Sequence, residues 1–281
     1  LTSNRFNNNN LCPCKPGELA SIKQLNFFIQ SETIYSYNKA RDIPSSESTS
    51  NLSAALNLGT ISCRSVWNGA QSSRNLASDE YQLDSINTWI KELAWREFYQ
   101  NALFHFPELE KGPYRKKWFN FPWQNRHDWF ECWENGLTGI PIIDAAMRQL
   151  KHSGWMHNRC RMIVASFLVK DLLIDWRWGE NLFMKSLVDG DLASNNGGWQ
   201  WSASSGMDPK PMRIFNPFRQ ASKFDEDGKY IRKWIPELSH IPTTNLLSGE
   251  ITPSERKSYP DPIINHKQQT SIFKELYAGL N

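Results

Sequence analysis

The sequence predicts an all-α fold, and three observations carry that reading. Apolar residues recur at three- and four-residue spacing in segment after segment, and runs with the two-residue alternation of strands are nearly absent. No glycine-rich phosphate loop follows a strand, which argues against Rossmann and P-loop architectures.

The elements follow in order. Residues 1–20, with four consecutive asparagines and a Cys-Pro-Cys, have no periodicity and read as a poorly ordered lead-in. Residues 21–281 then read as one helical domain without an internal repeat or a central linker. Helical spacing begins with Ile22, Leu25, Phe28 and Ile29, and a polar stretch over residues 42–50 ends it. A short helix over residues 53–58 precedes Gly59, a natural stop. Residues 83–106 form a long amphipathic helix halted by Pro107. A Pro- and Lys-rich loop leads to a short helix at residues 128–134, and Pro141 opens the helix that follows. Residues 157–173 are the most apolar helix. Beyond Trp176 the pattern breaks into loops and short helices, until a terminal helix over residues 263–280.

Composition limits the function classes. The 281 residues carry 32 Lys plus Arg against 29 Asp plus Glu, a formal net charge of +3, with ordinary Gly and Pro usage. Residues 162–169 are the longest apolar stretch, far short of the ~20 residues of a membrane helix, and no signal peptide is visible. Five cysteines at scattered spacing predict reduced thiols in a cytoplasmic protein. His152 and His157 are five apart, off the i, i+4 spacing of helix-borne ligands, so no metal is expected. All 13 tryptophans fall between Trp67 and Trp234, and each buried indole N–H wants a partner, which points to an aromatic-rich site. The chain begins with Leu1 rather than Met, and so reads as a fragment or a processed product.

Four constellations carry chemistry. On a helix, Trp89, Glu92, Trp95, Arg96 and Tyr99 share one broad stripe, either a satisfied Glu–Arg pair in a core or a cleft wall that stacks flat rings. Asn158, Arg161, Met162 and Ala165 share a face at the start of an apolar helix, a place suited to a polar or anionic ligand. Asp189-Gly-Asp191 is followed closely by Asn195-Asn-Gly-Gly-Trp199-Gln-Trp201. Amides and indoles beside paired carboxylates fit hydrogen bonding to a heterocycle or a ribityl chain better than metal binding. The run Ser48-Thr-Ser-Asn-Leu-Ser53 is an anion cradle or an ordinary N-cap cluster.

Together with Gly154-Trp-Met-His-Asn-Arg159 and Arg213-Ile-Phe-Asn-Pro217, these strings resemble the FAD-binding helical domain of the cryptochrome/photolyase family, most closely class I cyclobutane pyrimidine dimer photolyases. The resemblance runs from about residue 21 to residue 280 and implies FAD, active in its reduced form, folded inside an all-helical domain. Tyr37, Thr49, Ser50, Asn51, Leu52 and Ser53 would hold the diphosphate and its surroundings, with Trp89 and Arg96 completing that side. Asp189 would pair with Arg161 near the flavin ring, Gly190 and Asp191 would line the flavin or ribityl chain, and Asn195 would face flavin N5. Trp95 and Trp201 would sandwich a flipped-out dimer. Glu92 and Asn158 would bond its edges, Met162 would pack on it, and Arg159 and Gln220 would contact the DNA strand. Lys116, Lys117 and Arg213 add cationic groups for phosphates. Trp199, Trp176 and Trp123 match the family's electron-relay tryptophans.

The implied activity is light-driven repair of cyclobutane pyrimidine dimers by electron transfer from excited reduced FAD, a deoxyribodipyrimidine photo-lyase reaction. The partner would be UV-damaged DNA, bound by a monomer without an obligate protein partner. The alternative is a cryptochrome-like blue-light sensor. Asn158 and Met162 stand where (6-4) photolyases carry histidines, Asn195 differs from the aspartate or cysteine of many cryptochromes, and DASH-type cryptochromes usually lack the Trp95 and Met162 pattern. The family's N-terminal α/β antenna domain has no counterpart in these residues, so an antenna chromophore is not expected on this chain.

Overall fold

Gly17 adopts a positive φ of 93° and starts the first helix inside the segment read as lead-in, at Glu18. The structure, a computed structural model, describes residues 12–207 and 212–280, and most of the predicted lead-in lies outside them. Among the described residues there are sixteen α-helices, three short 3-10 turns and no strand.

The first six helices build one core. α1 (Glu18–Gln30) buries Ser21, Leu25 and Phe28, and Ser31 ends it by folding its hydroxyl back to the Phe28 carbonyl. The helical spacing that precedes the polar stretch at residue 42 is therefore divided among α1 and two single turns, α2 (Glu32–Tyr35) and α3 (Tyr37–Ala40). α4 (Ser53–Asn57) ends before Gly59 as expected. α5 (Cys63–Leu76) has no apolar stripe in the sequence. Its buried face is Val66, Gly69, Ala70 and Ser73, small residues that let it approach α1 until a Cβ on Gly69 would sit 3.3 Å from Ile29. α6 (Glu80–His105) starts where the Asp79 carboxylate accepts from the Gln82 N–H at 2.8 Å, and it gives way to a 3-10 turn at Pro107. Only its first half is buried, through Ser85, Ile86 and Trp89.

The remaining helices surround a larger core. α7 (His127–Asn135) and α8 (Pro141–Ser153) end in left-handed Gly136 and Gly154. α9 (Asn158–Lys170) runs through the centre, and α10 (Trp176–Ser186) and α11 (Leu192–Ala203) pack on it. α12 (Pro217–Phe224), α13 (Lys229–Trp234), α14 (Thr243–Ser248) and α15 (Pro253–Arg256) close the far side. α16 (His266–Ala278) covers Trp118, Phe121 and Leu173, with its Phe273 buried among them.

Residues 177–203 are mostly helical, contrary to the broken pattern read from sequence. Each glycine within a helix costs roughly 1 kcal/mol against alanine, but here two of them admit a ring. A Cβ on Gly179 would lie 2.1 Å from the Trp199 indole, and one on Gly197 would lie 2.1 Å from the Tyr99 ring. The glycines thus fix how α10 meets α11 and how α11 meets α6. Gly197→Ala is expected to lower the melting temperature by roughly 3–10 °C through overpacking. An unchanged thermal scan would show that the Tyr99 contact can yield freely.

Candidate active site

A cavity of about 770 Å3 opens at the seam between the two cores, within the size range of ligand pockets. Polar contacts cross the seam. The Ser53 hydroxyl donates to Asp189 at 2.7 Å, and Asn57 Nδ2 donates to the Gly190 carbonyl at 2.8 Å, so the short α4 is tied to the turn before α11. Arg161 Nη2 donates to both Asp189 oxygens at 3.0 and 2.8 Å. That carboxylate is buried and receives three hydrogen bonds, two from the guanidinium and one from the hydroxyl, which compensates its loss of water.

Asp191 caps α11 by accepting from the Ser194 N–H at 2.7 Å, while its second oxygen accepts from Gln100 at 2.7 Å. Asn195 Nδ2 donates to the Glu180 carbonyl at 3.0 Å, leaving Oδ1 as the end available to a ligand. Beside it, Asn196 Nδ2 donates to Glu180 Oε1 at 2.8 Å. Burial pushes the Glu180 carboxyl up to about 7.

The sign follows from that shift. Between about pH 4.5 and 7 the folded protein holds a proton on Glu180 that the unfolded chain has released, so the Glu180 contribution to stability falls as pH rises through 7. Glu180→Gln should therefore stabilise the protein relative to wild type at pH 8, on the order of 2 kcal/mol, with little difference at pH 4.5. Parallel melting curves at the two pH values check this, and a gap of equal size at both would refute it.

The stripe on α6 forms one wall. Trp89 is buried, whereas Trp95 keeps 52 % of its surface exposed and stacks on Tyr99 at 5.9 Å between ring centroids. Glu92 pairs in the cavity wall with Arg41 at 2.5 Å, not with Arg96 on its own helix. Arg96 instead reaches the Leu56 carbonyl and the Cys63 sulfur. Arg41 lies over the Tyr37 ring, whose phenol burial holds well above its ordinary pKa. Arg159 pairs with Asp42 at 2.8 Å and lies over Phe224.

The structure brings all thirteen residues expected around the flavin, among them Tyr37, Asn51 and Trp89, to the walls of this one cavity. Glu92, Trp95, Asn158, Arg159, Met162 and Trp201 line it as well. Gln220 does not: it sits on α12, outside the lining, with Oε1 buried and unpartnered. Of the three relay tryptophans, Trp199 is a buried cavity wall, Trp176 is buried in the core, and Trp123 is half-buried against Phe121. Arg41 and Asp42 escaped the sequence reading, because their partners Glu92 and Arg159 lie far along the chain and no periodicity marks them.

The donor set fits a flavin dinucleotide. Five arginines face three carboxylates around the cavity, hydroxyls and amides line the α4 side, and Phe183, Leu187 and Trp199 give an apolar floor. A Cβ on Gly198 would meet nothing within 4 Å, so open space adjoins α11 there. Arg159 Nε is buried without a partner, an orphaned donor at the cavity wall. Among the described residues no group of three or more His, Cys, Asp or Glu could hold a metal ion, all five cysteines are free thiols, and no helix is long and apolar enough to cross a membrane.

A sequence profile described as the FAD binding domain of DNA photolyase matches residues 89–279. A deoxyribodipyrimidine photo-lyase from Synechococcus sp. is 56 % identical over 268 residues, covering 95 % of this chain and 55 % of that protein. The crystal structure of a class III photolyase from Agrobacterium tumefaciens superposes with a TM-score of 0.87 at 42 % identity, over 94 % of this chain and 56 % of that one. A cryptochrome from Synechocystis superposes with a TM-score of 0.88 at 31 % identity, over 96 % and 58 %. The chain spans about half the length of the curated relatives it matches.

Proposed function

This chain belongs to the cryptochrome/photolyase family, and from that premise we propose that it acts as a deoxyribodipyrimidine photo-lyase, repairing cyclobutane pyrimidine dimers in DNA under light. One observation carries the choice: the exposed indole of Trp95 and the ring of Trp201 line the same cavity as Glu92, Asn158 and Met162, so a stacking platform and polar groups converge on one space.

Reduced FAD bound in the cavity supplies the light-absorbing electron donor. The chain's own groups do the rest. Arg161, fixed by Asp189, and the hydroxyls of residues 49–53 hold the dinucleotide. The Asn195 amide, fixed by the Glu180 carbonyl, presents Oδ1 to the ring. Trp95 and Trp201 stack on the flipped dimer, whose extrusion costs least where damage has already weakened pairing. Asn158 and Glu92 bond the pyrimidine edges, with Arg41 holding the Glu92 carboxylate in place. Arg159 and Arg213 of the cavity lining and Gln220 outside it meet the DNA backbone, so affinity falls with salt. Trp199, Trp176 and Trp123 carry electrons between the protein surface and the cavity.

The test is a repair assay on flavin-reduced protein with a thymine-dimer oligonucleotide, with and without blue light. Light-dependent recovery of intact thymines supports the proposal. No repair and no preference for dimer-containing DNA would favour the light-sensor reading, which the likeness to a Synechocystis cryptochrome keeps open.

A further inference from the structure

The C-terminal half of α9 is apolar core with two polar interruptions, Ser166 and Lys170, which are 2 % and 1 % exposed. A buried ammonium is expensive unless its donors are used, and an aliphatic side chain would fill the same volume. Ser166 and Lys170 are four residues apart and so share one face of the helix. The Ser166 hydroxyl accepts from the Phe215 N–H at 3.4 Å, and Lys170 Nζ donates to the Arg213 carbonyl. Residues 212–216 have no helical or strand bonding of their own. Four residues of helix advance about 6 Å and two residues of extended chain about 6.6 Å, so the two contacts are in register. The next residue, Asp171, is fully buried and pairs with His266 of α16, which anchors this end of α9.

What this grip holds is informative. The Arg213 guanidinium lies 5.1 Å from the centre of the Trp201 ring, and both side chains line the cavity. The other end of the same helix supplies Asn158, Arg159 and Met162 to the same cavity. We infer that Lys170, with Ser166, is a positioning residue for damaged-DNA recognition: it clamps the backbone of residues 213–215 to α9 so that Arg213 covers Trp201 and faces the strand entering the cavity. This inference rests on the DNA-repair reading above.

The test is a double-mutant cycle on the flavin-loaded protein, pairing Lys170→Met with Arg213→Gln. Dissociation constants are measured in the dark for dimer-containing and undamaged duplexes. Lys170→Met is expected to weaken dimer binding about tenfold, with flavin content retained. The double variant is expected to bind no worse than Arg213→Gln alone, because the clamp acts through that arginine. Multiplied losses, or wild-type binding by Lys170→Met, would overturn the inference. If Lys170→Met does not fold, Ser166→Ala goes through the same cycle and multiplied losses again overturn it. The clamp is also read without DNA, by amide exchange: Lys170→Met should accelerate exchange over residues 212–216 while α11 is unaffected, and unchanged exchange there would refute it. A wild-type protein without dimer preference would count against the repair proposal itself, a result separable from the exchange measurement.

Discussion

Replacing Asp189 with alanine is expected to yield a protein that purifies largely without flavin and melts at a lower temperature. Asp189 joins three parts of the chain: it accepts from Ser53 on α4 and from Arg161 on α9, and it sits in the turn that launches α11. Removing the carboxylate leaves Arg161, about three-quarters shielded from solvent, facing the cavity without its partner. Truncating one member of a buried pair costs roughly 3–5 kcal/mol, and the partial exposure of Arg161 brings the expectation to roughly 2–4 kcal/mol. The flavin effect should exceed the stability effect, because the same change removes the Ser53 bond, one of the two that tie α4 to the turn before α11 in the cavity wall. Flavin absorbance per mole of protein, beside a thermal scan, measures both. Full flavin occupancy in Asp189→Ala would remove this residue from the binding reading.

Trp95→Ala should do the reverse, sparing the fold and damaging recognition. The indole is half exposed and its contacts are with Tyr99 and Phe98 on its own helix, so little core is lost. Stacking on a base is worth about 1–3 kcal/mol, which places the loss of affinity for dimer-containing DNA at roughly 5- to 150-fold. Binding to undamaged duplex, governed by phosphate contacts, should hardly change. Equal losses on the two DNAs would mean that Trp95 does not stack on the lesion.

The two variants probe residues that the sequence already singled out, and the reason is chemical. A charge among indoles on a helical stripe, or paired carboxylates ahead of amides, conflicts with core packing, and that conflict is visible in one dimension. Its partners are not. Glu92 invites pairing with Arg96 one turn on, yet it meets Arg41 from 51 residues earlier in the chain. Helices with large apolar stripes, such as α8 and α9, were legible. α5 was not, because a face of Val66, Gly69, Ala70 and Ser73 packs by close approach rather than by hydrophobic bulk. α11 was hidden by its paired glycines, which read as a chain break until Tyr99 is seen lying against Gly197. Gln220 was assigned to the DNA strand by family likeness alone, and the structure sets it apart from the cavity.

The stitches across the seam also bear on when the site comes into being. Ser53 meets Asp189 across 136 residues of sequence, and Asn57 meets the Gly190 carbonyl across 133. Each core, by contrast, is drawn from a single stretch of the chain, residues 25–89 for the first and 133–264 for the second. Closing long loops is entropically the later and slower event. A refolding chain therefore completes both halves before it completes the pocket between them, and in a stopped-flow trace the rise of helical signal should precede flavin uptake.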